Sequence, residues 1–312
     1  MLTFEVRVPT YNRPELLARA LQSLQAQTYP NWVATVYDDA SAGEEIVRSI
    51  ADDRIRYQKN HQTLGACANI DKCFSPISDN GGTHGYVLED DNFLLPEFFS
   101  LIAEALHKKP WRLIQANQRI WSKARGMHPQ SETTRGLWFQ PGVMDVVHLQ
   151  ASLLFMEGLS NGGMIWRLDD NCNFQVGPSV QHFGIQEACR TLLVNSPFLF
   201  IEEPLAVFTY MPRIETARGR EGDRSVGRGL QSIRRHILKH FGSKVLGAIP
   251  PNPGLKDQVT RLLIHSGYPH LIAGRMNATL AKVWLKGLAL RLTEPDPCAR
   301  FLANLDTAGS PS

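Results

Sequence analysis

The chain has 312 residues, 43% of them hydrophobic, and a formal net charge of +3. That length accommodates one large α/β domain, or one domain with an appendage, and no apolar run reaches the roughly 18 residues a membrane span needs. Five cysteines (Cys67, Cys73, Cys172, Cys189 and Cys298) form an odd set with no CxxC pair, which argues against a disulfide framework or a cysteine zinc site and for a reducing compartment.

The elements alternate from the start. FEVRVPTY reads as a strand ending at Pro9, and RPELLARALQSLQAQT as a helix with Leu16, Leu17, Ala20, Leu21 and Leu24 on one face and Pro14 in its first turn. The chain opens on this strand and not on a basic and then apolar leader, so no secretory signal is expected and a cytoplasmic location is. WVATVYDDAS is a strand ending in two acids, AGEEIVRSIADD a helix, RIRYQKN a short strand and GACANIDKCFSPI a helix. GYVLEDD is the next strand, and LPEFFSLIAEALHKK a helix led by Pro96. Strands alternating with helices imply right-handed crossovers and a mostly parallel sheet flanked by helices.

After Trp111 the pattern loosens. WRLIQANQRIW, GGMIWRL and FLFIEEPLAVFTYM read as strands, FGIQEACRTLLVNS as a helix, and residues 122–150 as an irregular pocket wall. Residues 213–229 hold five Arg and four Gly with almost no apolar content, the composition of a flexible loop. From Leu230 to Arg300 the chain reads as helices, and DTAGSPS as a disordered tail. The expected division is therefore an α/β domain over 1–212, a loop over 213–229 and a C-terminal helical extension over 230–312.

Charge follows that division. Residues 1–212 carry 17 Lys+Arg against 23 Asp+Glu, and residues 213–312 carry 16 against 7. An acidic body suits a cation; a basic extension suits phosphate, an anionic membrane surface or the acidic body itself. Packing on the body is the expectation for the last helix, with peripheral membrane contact as its alternative. No nucleic-acid partner is expected.

In parallel sheets, ligands bind beyond the carboxyl ends of the strands. Three polar clusters fall there: Pro9-Thr10-Tyr11, Asp38-Asp39 and Glu89-Asp90-Asp91. Two carboxylates at a strand end suit a hard divalent cation, Mn²⁺ or Mg²⁺, with open positions for phosphate oxygens. Asp38-Asp39 could accept from a nucleobase or ribose, or simply cap the next helix.

VRVPTYNRPELLARALQSLQAQTYPNWVATVYDDAS resembles the opening of the family 2 glycosyltransferases, which have the GT-A fold; NHQTLGACANIDKCF, GYVLEDDNFLLPEF and GGMIWR resemble later family segments, and the likeness spans roughly 3–210. It implies an inverting transfer from a nucleotide-diphosphate sugar, UDP-type, to a hydroxyl or amine of a small-molecule, glycan or lipid-linked acceptor. Pro9, Thr10, Tyr11 and Arg13 would line the nucleotide pocket, Asp39 would bind the base, and Asn69 would stand on the diphosphate side. Asp91 would hold the metal and Asp90 would contact the donor's ribose or the metal indirectly, while Glu89 stands where the family varies. Glu187 would be the base, with Asp169 and Asp170 as rivals; the family's neighbouring Asp is absent beside Glu187. Trp138 or Trp166 could stack on a sugar, His182 could reach the site, and Arg218, Arg220 and Arg224 could close over the diphosphate.

Other classes fit less well. A nucleotide-sugar binding protein would use the same pocket without turnover. A nucleotidyltransferase would be expected to carry a Gly- and Lys/Arg-rich first loop, and PTYNRPE has neither Gly nor Lys. A dinucleotide oxidoreductase needs GxGxxG after the first strand, where none occurs.

Overall fold

Seven consecutive buried residues, Phe4–Thr10, form the first strand, β1, and the sheet grows outward from it. The computed structural model describes residues 1–40, 42–136, 138–169, 171–211, 220–250, 253–272 and 276–307. After β1 come α1 (Pro14–Gln25), β2 (Trp32–Asp38), α2 (Gly43–Ile50), β3 (Ile55–Lys59), α3 (Ala66–Lys72), β4 (His84–Val87), β5 (Phe93–Leu94) and α4 (Phe98–Lys108). They are followed by β6 (Leu113–Ser122), β7 (Gly126–Met127), β8 (Gly142–Met144), α5 (Val146–Leu154), β9 (Met164–Arg167), α6 (Phe183–Leu192) and β10 (Phe198–Tyr210). Four helices close the chain: α7 (Arg220–Gly247), α8 (Pro253–Ser266), α9 (Ala278–Thr293) and α10 (Ala299–Thr307).

The strand order is β3-β2-β1-β4-β9-β6-β10-β5, with β7 beside β6 and β8 beside β10. β3, β2, β1 and β4 run parallel, as the alternation of strands and helices predicts. Beyond β4 the sheet is mixed: β9 is antiparallel to both β4 and β6, and β10 is parallel to β6. Because β2 and β4 flank β1 on opposite sides, the order reverses at β1, and the crevice beyond its carboxyl end is the topological switch point.

Amphipathic spacing explains the packing. Leu17, Ala20, Leu21 and Leu24 of α1 are fully buried, in a core with Phe4, Val6 and Val8 of β1 and Phe98, Phe99 and Ile102 of α4. β1 also buries an ion pair: Arg7 donates to Glu5 at 2.7 Å with both side chains almost wholly covered. Arg7 donates further to the carbonyls of Cys73, Ser75 and Ile77, and Glu5 accepts from Ser78 and the amides of Asp79 and Asn80. Burial pushes the Glu5 carboxyl up, but these bonds outweigh it and the net shift is downward.

Two compact units emerge: Met1–Asp145, Leu159–Gln175 and Ser196–Ile214 in one, and Val146–Gly158, Val176–Asn195 and Glu215–Ser312 in the other. The helical unit is therefore larger than residues 230–312. It takes in α5 and α6, whose apolar residues Leu149, Leu153 and Ile185 are buried, and α7 contacts α5, α6, α8, α9 and α10. The expected loop over 213–229 is corrected in its second part: Arg220–Gly229 lie in α7, and residues 213–219 fall outside the described residues. Gly229 serves close packing: a Cβ there would come within 2.8 Å of Pro297 and 2.9 Å of Ile185. Among the described residues, no helix is long and apolar enough to cross a membrane.

Candidate active site

β1 and β4 deliver the first cluster. The chain leaves β4 after Leu88 donates its amide to the Arg7 carbonyl, and turns where Asn92 N–H meets the Glu89 carbonyl at 2.9 Å. That turn sets Asp90 and Asp91 beside the end of β1. Thr10 Oγ1 donates to Asp90 Oδ2 at 2.8 Å. Arg13, just before α1, donates to Asp90 Oδ1 at 3.3 Å and to Asp91 Oδ2 at 3.0 Å. Its side chain is 47% exposed, against 8% for Asp90 and 21% for Asp91.

Burial dominates the electrostatics there. It pushes the Asp90 carboxyl up to about 6; Thr10 and Arg13 oppose the shift, and the Asp91 charge adds to it. Burial raises Asp91 too, against Arg13 and Arg19. Two adjacent oxygen-only ligands whose ionised forms are disfavoured make a donor set that fits a hard divalent cation.

Arg19 is a residue that sequence reasoning missed. It donates to the Asp91 carbonyl and, at 2.8 Å, to Thr209 Oγ1, with its guanidinium 4.8 Å from the Phe93 ring centre and 4.7 Å from that of Trp121. Asn92 was missed as well: it donates to Glu89 Oε2 and accepts the Thr209 amide, both at 2.9 Å. Its place at the end of the acidic run was the available signal.

The second cluster forms at the end of β2, joined to the first where the Asp39 amide donates to the Thr10 carbonyl at 3.0 Å. Asp38 caps the entry to α2: Oδ1 accepts the Ala40 amide at 2.8 Å, and Oδ2 the Gly43 amide at 2.7 Å. Asp39 Oδ1 accepts Asn60 Nδ2 at 2.9 Å and the Leu64 amide at 2.8 Å, and Oδ2 accepts the Gly65 amide at 2.8 Å. Asn60, also missed, bridges Asp39, Asn69 and Lys72.

The expected donor contact of Asn69 is not supported by its placement. Its amide nitrogen donates to the Tyr37 carbonyl at 3.0 Å and its oxygen accepts from Asn60 at 2.9 Å, so a 3% exposed side chain is engaged within the protein. Pro9 is buried in β1 and Tyr11 is 56% exposed beyond it. Trp138 and Trp166 are both buried, and Trp166 stacks on Phe74 at 5.1 Å, the core packing that its strand context suggests.

Glu187 belongs to the helical unit, half-buried in the middle of α6, and His182 precedes that helix. Asp169 accepts from Arg167 and from the Asn171 amide. Asp170, Arg218 and the Arg220 side chain lie outside the described residues; Arg224 lies 3.6 Å from Glu294.

Residues 5–147 match the family described as Glycosyl transferase family 2. A stretch of 67 residues is 37% identical to WcaA of Escherichia coli (strain K12), named as a colanic acid biosynthesis glycosyl transferase; the stretch is 20% of this chain and 24% of that protein. The structure of S. aureus TarS residues 1–349 superposes with a TM-score of 0.57 at 14% identity, covering 99% of this chain and 92% of that one. A longer TarS structure gives 0.56 at 14% identity, over 94% of this chain and 54% of that chain. The chain thus spans about a quarter of its WcaA relative and about half of the longer TarS chain. The matched segment, just under half of the chain, holds β1 through β8 and both acidic clusters and is similar to the family 2 glycosyltransferases, and the fold is similar to that of TarS.

Proposed function

We infer that the protein transfers a sugar from a nucleotide-diphosphate donor, a UDP-sugar in the first instance, to an acceptor hydroxyl or amine with inversion at the anomeric carbon. The observation that carries this reading is the joined cluster of Thr10, Arg13, Asp90 and Asp91 at the switch point, where burial pushes both carboxyls up. TarS, which shares the fold, has been solved with UDP and with UDP-GlcNAc, and so uridine donors come first.

Asp91, supported by Asp90, would hold a divalent cation, Mn²⁺ or Mg²⁺, whose charge stabilises the leaving diphosphate. Thr10 keeps Asp90 oriented through its hydroxyl. Arg13 is exposed enough to meet a phosphate oxygen as well as the two carboxylates. Asp39 would bind the base and shape the nucleotide pocket by tying the 60–65 loop to the end of β2, with the buried Pro9 shaping the turn and the exposed Tyr11 at the pocket's mouth. Glu187 takes the acceptor's proton as the acceptor oxygen or nitrogen bonds to the anomeric carbon and the bond to the diphosphate breaks.

A panel of nucleotide sugars, assayed for nucleotide release with Mn²⁺ or Mg²⁺, tests the reading. The expected result is acceptor-dependent release from a UDP-sugar, with Glu187→Gln retaining donor binding and losing transfer. A protein that binds donor and never consumes it in the presence of acceptor would be a binding protein instead.

A further inference from the structure

We propose that His236, His240 and Asp306 form a binding site for a first-row transition metal, Zn²⁺ foremost, that staples α10 to α7. The two histidines are four residues apart on α7 and so share one face, with ring centres 4.3 Å apart. Asp306 comes from α10. Its Oδ1 lies 3.2 Å from His236 Nδ1 and 2.9 Å from His240 Nε2, and the three donor atoms fall within 4.8 Å of one another. Tetrahedral Zn²⁺ with bonds of about 2.0–2.1 Å has ligand–ligand edges of about 3.3 Å. Both edges through Oδ1 are already within a few tenths of an ångström of that value.

The surroundings are those of a held ligand set. Lys239 Nζ bonds the other carboxylate oxygen, Oδ2, at 2.7 Å, which fixes the carboxylate and turns Oδ1 toward the rings. The imidazoles are mostly covered, at 12% and 19% exposure, while Asp306 at 36% leaves an approach for an ion. There is also work for a staple to do. Phe301 is the one buried residue of α10, and the polar contacts of His236, Lys239 and His240 all converge on its Asp306.

Two imidazoles and one carboxylate suit Zn²⁺, Co²⁺, Ni²⁺ or Cu²⁺ over Mg²⁺ or Ca²⁺. The oxygen-only pair Asp90-Asp91 has the opposite preference. The two sites can therefore be titrated apart, and this proposal does not rest on sugar transfer. No cysteine takes part, so the odd cysteine count does not bear on it.

Chelator-treated full-length protein, in excess Mg²⁺ to occupy the acid pair, is titrated with Zn²⁺, and separately with Co²⁺ followed by visible absorption. One Zn²⁺ per chain should bind, Co²⁺ should give the intense bands of a tetrahedral site, and Zn²⁺ should slow proteolysis within α10. His240→Ala and Asp306→Asn should each weaken binding by at least ~100-fold, beyond the 10–100-fold typical of outer contacts, while Asp91→Ala leaves it intact. Circular dichroism checks the fold of each variant; should His240→Ala not fold, Asp306→Asn carries the test from the more exposed ligand. Wild-type protein that binds no Zn²⁺, variants that bind it undiminished, or binding that disappears in Asp91→Ala would each overturn the proposal.

Discussion

Both neighbours of β1 lead into a pair of adjacent aspartates, and the fold treats the two pairs in opposite ways. After β2, Asp38 and Asp39 accept from the amides of Ala40, Gly43, Leu64 and Gly65, so fixed N–H dipoles satisfy the carboxylates. After β4, Asp90 and Asp91 lean on one hydroxyl and one half-exposed guanidinium, and burial prevails over both. The first pair organises the chain around it. The second holds charge in a place where charge is disfavoured, an arrangement that becomes favourable when a cation arrives.

The largest expected effect separates the pairs by activity. Asp91→Ala should lower turnover by about 1,000-fold, the several kcal/mol that charge stabilisation at a leaving group supplies. Its melting temperature in chelator should hold or rise, because one of two repelling carboxylates is gone. Nucleotide release and a melting curve on the same preparation check both halves; a variant that keeps turnover but melts early would mean that the second pair is structural after all.

Asp39→Ala should do the reverse in stability. It strips the acceptor from two backbone amides and Asn60, and should cost about 4 kcal/mol of unfolding free energy. Urea denaturation measures that loss directly. Uridine nucleotide binding should weaken as well, since the 60–65 loop loses its anchor.

The next effect is a pH dependence. The Asp90 carboxyl titrates near 3.8 when unfolded and at about 6 in the folded protein. Between those values the folded state holds a proton that the unfolded state has released. Its contribution is therefore full below pH ~3.8 and is lost as pH rises through ~6, a change of about 3 kcal/mol. In chelator-treated protein, Asp90→Asn should flatten this slope to the part that Asp91 contributes and be the more stable form at pH 7; identical slopes in variant and wild type would place the titrating group elsewhere.

Residue chemistry made the first half legible. The strand in FEVRVPT, the α1 stripe of Leu17, Leu21 and Leu24 and the acids at strand ends follow from local patterns, and the structure keeps them, although it buries Glu5 and Arg7 with the apolar residues of β1. The division of labour inside each acid pair was not local. Asp39 is claimed by amides about 25 positions downstream, and Asn69 by Asn60 and the Tyr37 carbonyl. The start of α7 misled for a related reason. Its glycines read as loop residues, yet Gly229 is where the helix meets Ile185 and Pro297 too closely for a side chain. The buried Glu5–Arg7 pair shows the same limit, since its other partners lie in the 73–82 turn.

The smallest expected effect is the sharpest check on where the second cluster ends. Glu89 is the third acid of the run, but its side chain is tied to Asn92 Nδ2 through Oε2 at 2.9 Å, and Asn92 in turn accepts the Thr209 amide. Glu89→Gln keeps an amide oxygen for Asn92 and removes one negative charge beside the pair. Stability should stay within about 0.5 kcal/mol, with turnover nearly unchanged and the midpoint for Mn²⁺ activation shifted only slightly upward, because one attracting charge is gone. A loss of turnover comparable to that of Asp91→Ala would make Glu89 a ligand, and the boundary between structural and charge-storing acids would then fall one residue earlier in the chain.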